Sequence, residues 1–164
     1  MSAAPVWLLD VDGVLNVARP GWSAAPHRGE ALADGAWWPM RWAPALIGRI
    51  VALHRSGRAE VRWCSTWCPW ADQLEALFGM PRLAAALTTE EATSPGLPRA
   101  AAKALAAFRV LDAEGRRLIW TDDDAIPHGE ARSALTAGGR ALLIEPDSTR
   151  GLQPADLDEI EAWI

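Results

Sequence analysis

VWLLDVDGVLN, residues 6–16, is a hydrophobic run that ends in two carboxylates one residue apart, followed by glycine. An apolar run of this length, closed by turn-forming residues, predicts a buried strand over residues 6–11. In an extended chain, residues two apart point the same way, so Asp10 and Asp12 can share one pocket. A buried carboxylate pair with no cation nearby would raise its own pKa and cost stability. The pair therefore points to a metal or a reacting phosphate. Gly13 would let the backbone approach a ligand closely. Asp-Gly after a strand also makes ordinary turns, so the string needs support from the rest of the chain.

Three more apolar runs suit buried strands, at residues 61–64, 117–121 and 141–144. Amphipathic stretches separate them. Residues 44–56 carry Leu46, Ile47, Ile50, Val51 and His54 along one stripe, with Pro44 in the first turn and Gly57 as the stop. Residues 69–78 repeat that grammar, closed by Gly79, and further helices are expected at 98–108, 127–137 and from 154 to the end. Strands alternating with helices imply an α/β fold: a three-layer sandwich around a mostly parallel sheet covered on both faces. Such sheets bind ligands at the carboxyl ends of their strands. The segment from Ala18 to Trp42 shows no clear period and reads as an irregular, Trp-rich flap or hairpin at about residues 17–42.

With 164 residues, half of them hydrophobic, the chain is expected to form one domain over 1–164. No signal peptide is expected, because Asp10 and Asp12 interrupt the first apolar run, and no stretch has the apolar length of a membrane span. Cys64 and Cys68 match neither a redox pair nor a zinc knuckle, which favours a reduced, cytoplasmic setting. A net charge of −5 argues against an extended nucleic-acid surface, since such binding rests on many phosphate contacts. A nucleotide or a nucleic-acid end stays compatible. The basic residues comprise fifteen arginines and one lysine, Lys103.

Two more strings close strands with chemical residues: VRWCSTW brings Ser65 and Thr66, and RRLIWTDDD brings Asp122 and Asp123, with Asp124 directly after. Taken with DVDG and the single lysine, these resemble the haloacid dehalogenase-like phosphatases. That family's four motifs are Asp-x-Asp, a strand-end Ser or Thr, a helical basic residue and an acidic pair, and they occur here in the family's order. WCSTW and IWTDDD also look like the small bacterial branch that includes phosphatase domains of RNA-repair proteins. The resemblance implies a Rossmann-like core and a magnesium-dependent phosphohydrolase. Asp10 would be the nucleophile that forms a phosphoaspartate and Asp12 the general acid and base. Ser65, or Thr66 beside it, would bind a phosphoryl oxygen, and Lys103, with Arg99 as the alternative, would counter its charge. Asp10, Asp12, Asp122 and Asp123 would form the Mg²⁺ site. Neither gap between motifs has room for a full cap domain, which favours a phosphate presented on a larger molecule, such as a nucleotide or a nucleic-acid terminus.

Ordinary roles compete for most of these residues. Acidic runs cap helices, hydroxyls cap the helix that comes next, and lysines sit on solvated faces. A lysine kept once among arginines argues otherwise, since the two groups are not interchangeable. Trp7, Trp63 and Trp120 belong to strands and are expected in the core, whereas Trp22, Trp37, Trp38 and Trp42 of the flap, with Trp67 and Trp70, are candidates to rim the site and stack a base. His27, His54 and His128 lack metal-ligand spacing. The alternative functions are a phosphatase of small esters or phosphoproteins, and a catalytically inactive member of the fold that only binds a partner.

Overall fold

The structure is a computed structural model that describes residues 3–164. Five strands form a parallel sheet: β1 (Val6–Leu9), β4 (Glu60–Trp63), β5 (Ala84–Ala85), β6 (Leu118–Thr121) and β7 (Ala141–Ile144), in the order β5-β4-β1-β6-β7. β1 and β6 are buried along their whole length, the pattern of strands covered on both faces. Trp7, Trp63 and Trp120 are fully buried. Trp7 Nε1 donates to Thr121 Oγ1 at 3.0 Å and Trp63 Nε1 to Glu75 Oε1 at 3.0 Å, so two of these three large apolar residues also satisfy their polar edge.

Helices α1 (Pro44–Arg55), α2 (Ala71–Phe78), α3 (Thr89–Thr93), α4 (Arg99–Phe108), α5 (Gly129–Thr136) and α6 (Pro154–Trp163) cover the two faces, with no separate cap among the described residues. α1 and α6 are joined by Arg49, whose Nη2 lies 2.8 Å from Asp158 Oδ1 and 2.6 Å from Glu161 Oε1. Each helix predicted from periodicity is present within two residues of its expected ends, except that residues 68–70 before α2 form a short 3₁₀ turn. His54 is structural: its Nδ1 accepts the Val61 N–H at 3.2 Å, linking α1 to β4.

Between β1 and α1 the chain forms a regular antiparallel hairpin, β2 (His27–Ala33) and β3 (Ala36–Trp42), paired from His27↔Trp42 to Ala33↔Ala36. Its two-residue turn is Asp34-Gly35, with φ of 50° and 73°. Both residues occupy the left-handed region that a type I′ turn requires. One end of the hairpin is anchored, since Trp42 packs on Phe78 of α2 at 4.9 Å between ring centroids. The other leaves Trp37 and Trp38 exposed.

The in-register pairing of β1 with β4 and β6 ends at Leu9, Trp63 and Thr121, side by side. The next residues of all three strands must therefore emerge together on one edge of the sheet. They are Asp10, Cys64-Ser65 and Asp122-Asp123.

Candidate active site

Asp10 leaves β1 with its N–H bonded to Thr121 O at 3.2 Å, and Asp122 leaves β6 with its N–H on Ile144 O at 3.2 Å. Both carboxylates are buried, and Lys103 reaches between them: its Nζ lies 2.7 Å from Asp10 Oδ2 and 2.7 Å from Asp122 Oδ2. Its neighbours on the buried face of α4 are the small residues Ala102, Ala106 and Ala107. Arg99, one turn earlier, is exposed at the start of the same helix, so the two basic residues do different things. Asp122 is further fixed by the N–H groups of Asp124 and Ala125, which donate to Oδ1 at 3.2 and 2.9 Å.

Asp12 is exposed and held from two sides. Asn16 Nδ2 donates to Oδ1 at 2.8 Å and Trp67 Nε1 donates to Oδ2 at 2.9 Å. Asn16 in turn accepts the Arg41 N–H of β3 at 2.8 Å on Oδ1, which ties the loop after β1 to the hairpin. That loop is tight. The N–H groups of Val14, Leu15 and Asn16 all turn back to Val11 O, and Gly13 sits at φ 77° with Asp123 packed where a Cβ would stand. Glycine at position 13 therefore serves both the turn and the approach of a carboxylate.

A cavity of about 200 Å³ opens above these groups, lined by Asp10, Asp12, Ser65, Lys103 and Asp123, with Thr66 and Arg99 at its side. Ser65 is buried and its Oγ accepts the Trp67 N–H at 3.4 Å, while Thr66 is half-buried. Both hydroxyl residues thus face the cavity.

Carboxylate oxygens of Asp10, Asp122, Asp123 and Asp124 lie within 4.8 Å of one another. Asp124 thereby joins the residues singled out from the sequence. The Asp12 carboxylate stands apart from this group, with Asn16 and Trp67. Burial, with the neighbouring Asp122 charge, pushes the Asp10 carboxyl up to about 7 although Lys103 pulls the other way. Burial would lower the Lys103 ammonium, yet the Asp10 and Asp122 carboxylates together raise it above its ordinary value. Burial followed by the Asp124 and Asp122 charges raises the Asp123 carboxyl. Four carboxylates around one ammonium leave the cluster short of positive charge. An all-oxygen donor set at this spacing suits a hard divalent cation.

Asn16 and Trp67 hold Asp12, a role that the sequence alone does not assign to them, although Asn16 lies within the string 6–16. Their signal is spatial, since Trp67 is 55 residues from Asp12. Cys64 and Cys68 are buried, unpaired thiols. No helix among the described residues is long and apolar enough to cross a membrane.

A family model described as the HAD domain in Swiss Army Knife RNA repair proteins matches residues 6–157. No curated protein and no solved structure matched the chain.

Proposed function

We propose, because the chain belongs to the family of HAD domains in Swiss Army Knife RNA repair proteins, that it is a Mg²⁺-dependent phosphohydrolase working through a phosphoaspartate. Its substrate would be a phosphate ester on a nucleotide or a nucleic-acid end. The observation that carries this reading is the Lys103 ammonium held between Asp10 and Asp122 at the floor of a cavity that Asp12 and Ser65 also line. A structural ion pair would not need a third and fourth carboxylate beside it.

In this reading Asp10 attacks phosphorus, and the bond from phosphorus to the leaving oxygen breaks as Asp12 gives that oxygen its proton. Asp12 then takes a proton from a water whose oxygen attacks the phosphoaspartate, releasing phosphate and regenerating Asp10. Asn16 and Trp67 hold the Asp12 carboxylate at one place through both steps. Ser65, with Thr66 next to it, donates to a non-bridging phosphoryl oxygen, and Lys103 offsets the charge there. Mg²⁺ would neutralise phosphoryl charge and favour the ionised form of Asp10. Asp10, Asp12, Asp122 and Asp123 would hold it, with Asp124 in reach. The absence of a separate cap supports a substrate whose phosphate is presented on a larger body.

The test is hydrolysis of an aryl phosphate by the purified protein with Mg²⁺, with EDTA, and in Asp10→Asn. Metal-dependent turnover that Asp10→Asn abolishes is expected. Turnover that persists in Asp10→Asn, or no turnover of any phosphate ester, contradicts the reading.

A further inference from the structure

The cavity over the acidic cluster shares Asp12, Thr66 and Arg99 with a second, larger cleft of about 500 Å³. Trp38 and Pro39 of the hairpin line it, together with Trp67 and Trp70 from the turn after β4. A general acid must stand beside the leaving oxygen, so the leaving group extends from phosphorus past Asp12. Asp12 lines both spaces, so the direction past it is this cleft. We infer that the Trp38, Trp67 and Trp70 cleft is the leaving-group subsite and that it takes the nucleobase of the nucleotide bearing the scissile phosphate. This inference rests on the phosphohydrolase reading for its direction, and on the cleft itself for its chemistry.

Trp38 is 52% exposed on a hairpin whose neighbouring strand positions Met40 and Trp42 are buried. Its indole N–H is taken by Ala33 O at 3.2 Å, which orients the ring and leaves its face to carry the interaction. Trp70 is half-buried against the core, and Trp67 is fixed by its bond to Asp12. Indole faces bind flat, π-faced groups and do so with little regard to which base is offered. Asp34 and Thr93 also line the cleft and provide acceptors for the polar edge of a base, the Thr93 hydroxyl hydrogen being donated to Thr89 O. A single phenol ring would leave most of this volume empty, whereas a nucleoside falls within the range that such clefts enclose. Arg99 has no hydrogen-bond or ion-pair partner among the described residues and lies where the two spaces meet, a position that serves a phosphate attached to the bound nucleoside.

The test has two arms. In the first, kcat/KM is compared for a nucleoside monophosphate, a short single-stranded oligonucleotide with a terminal phosphate, and ribose phosphate, in the wild type and in Trp38→Ala. The preference for a base-bearing substrate over ribose phosphate is expected to fall about tenfold in Trp38→Ala, within the range for one stacked base. A loss seen with the oligonucleotide alone assigns the subsite to strand ends, and a loss seen with both assigns it to nucleotides generally. Equal use of ribose phosphate and nucleotides by the wild type overturns the inference.

In the second arm, quenching of tryptophan fluorescence by the same compounds is measured in Asp10→Asn, where turnover plays no part. Quenching by nucleotide but not ribose phosphate, weakened about tenfold by adding Trp38→Ala, upholds the subsite even if the protein hydrolyses nothing. No quenching by either nucleotide or oligonucleotide overturns it, whatever the activity.

Discussion

Replacing Lys103 by methionine keeps a long, flexible apolar stem in α4 and removes one ammonium from between Asp10 and Asp122. Both carboxylates are buried, so the variant loses the 2.7 Å contact to each. Removing one partner of a buried pair costs about 3–5 kcal/mol, because the remaining charge is left without compensation. The pH dependence has a definite sign. The Asp10 carboxyl stands at about 7 with Lys103 pulling it down, and without that pull it rises further. A carboxyl raised by folding opposes stability fully above its folded pKa and not at all below its unfolded one. The raised Lys103 ammonium supports the wild type throughout the range below its ordinary value. Acidification therefore lets Asp10 take up its proton in both proteins, and the deficit of Lys103→Met shrinks by roughly 1 kcal/mol between pH 8 and pH 5.5. The assay is urea unfolding monitored by circular dichroism in EDTA at the two pH values. A variant within about 1 kcal/mol of the wild type at pH 8 would refute the buried pair. So would a deficit that grows as the pH falls.

Gly13→Ala forces an L side chain into a left-handed backbone and against Asp123. The expected cost is about 1–2 kcal/mol of stability, with weaker Mg²⁺ binding by titration calorimetry. Asp123→Ala and Asp122→Asn are each expected to abolish metal-dependent hydrolysis, and retained activity in either would remove that residue from the cation site. Trp67→Phe deprives the Asp12 carboxylate of one donor. In single-turnover measurements it should slow release of the alcohol from alkyl or nucleoside phosphates roughly tenfold and release of the phenol from an aryl phosphate with a good leaving group much less, since only the former release depends on proton donation. Equal slowing of both would make Trp67 merely structural.

The sheet and the motif order were legible because each central strand is a run of apolar residues that ends abruptly in something polar. That contrast is large in VWLLD and LIWTDD, where both faces of the strand are buried. The hairpin was harder to read, because only Ala31, Ala33, Met40 and Trp42 are buried along it, and two prolonged exposed stretches break the alternation. Its turn nevertheless carried the Asp-Gly signal at residues 34–35. The helix α3 also had a readable start in Thr88 and Glu91, which form a reciprocal capping box. β5 is two residues long and exposed, and no pattern of two alanines could announce it. In the site, residue types that close strands were readable. The donors to Asp12 were not, because Asn16 and Trp67 gain their meaning from which loops the sheet brings together.

The proposed mechanism centres on Asp10 forming a bond to phosphorus and on Asp12 being needed to break it. An aryl phosphate with a good leaving group can phosphorylate Asp10 with little help from an acid, whereas the water step still needs a base. Asp12→Asn incubated with such an ester and Mg²⁺, quenched in acid and mapped by peptide mass spectrometry, is predicted to carry a phosphoryl group on Asp10. The wild type turns over under the same conditions, and Asp10→Asn carries none. A phosphoryl group on any other residue, or steady turnover by Asp10→Asn, would contradict the mechanism.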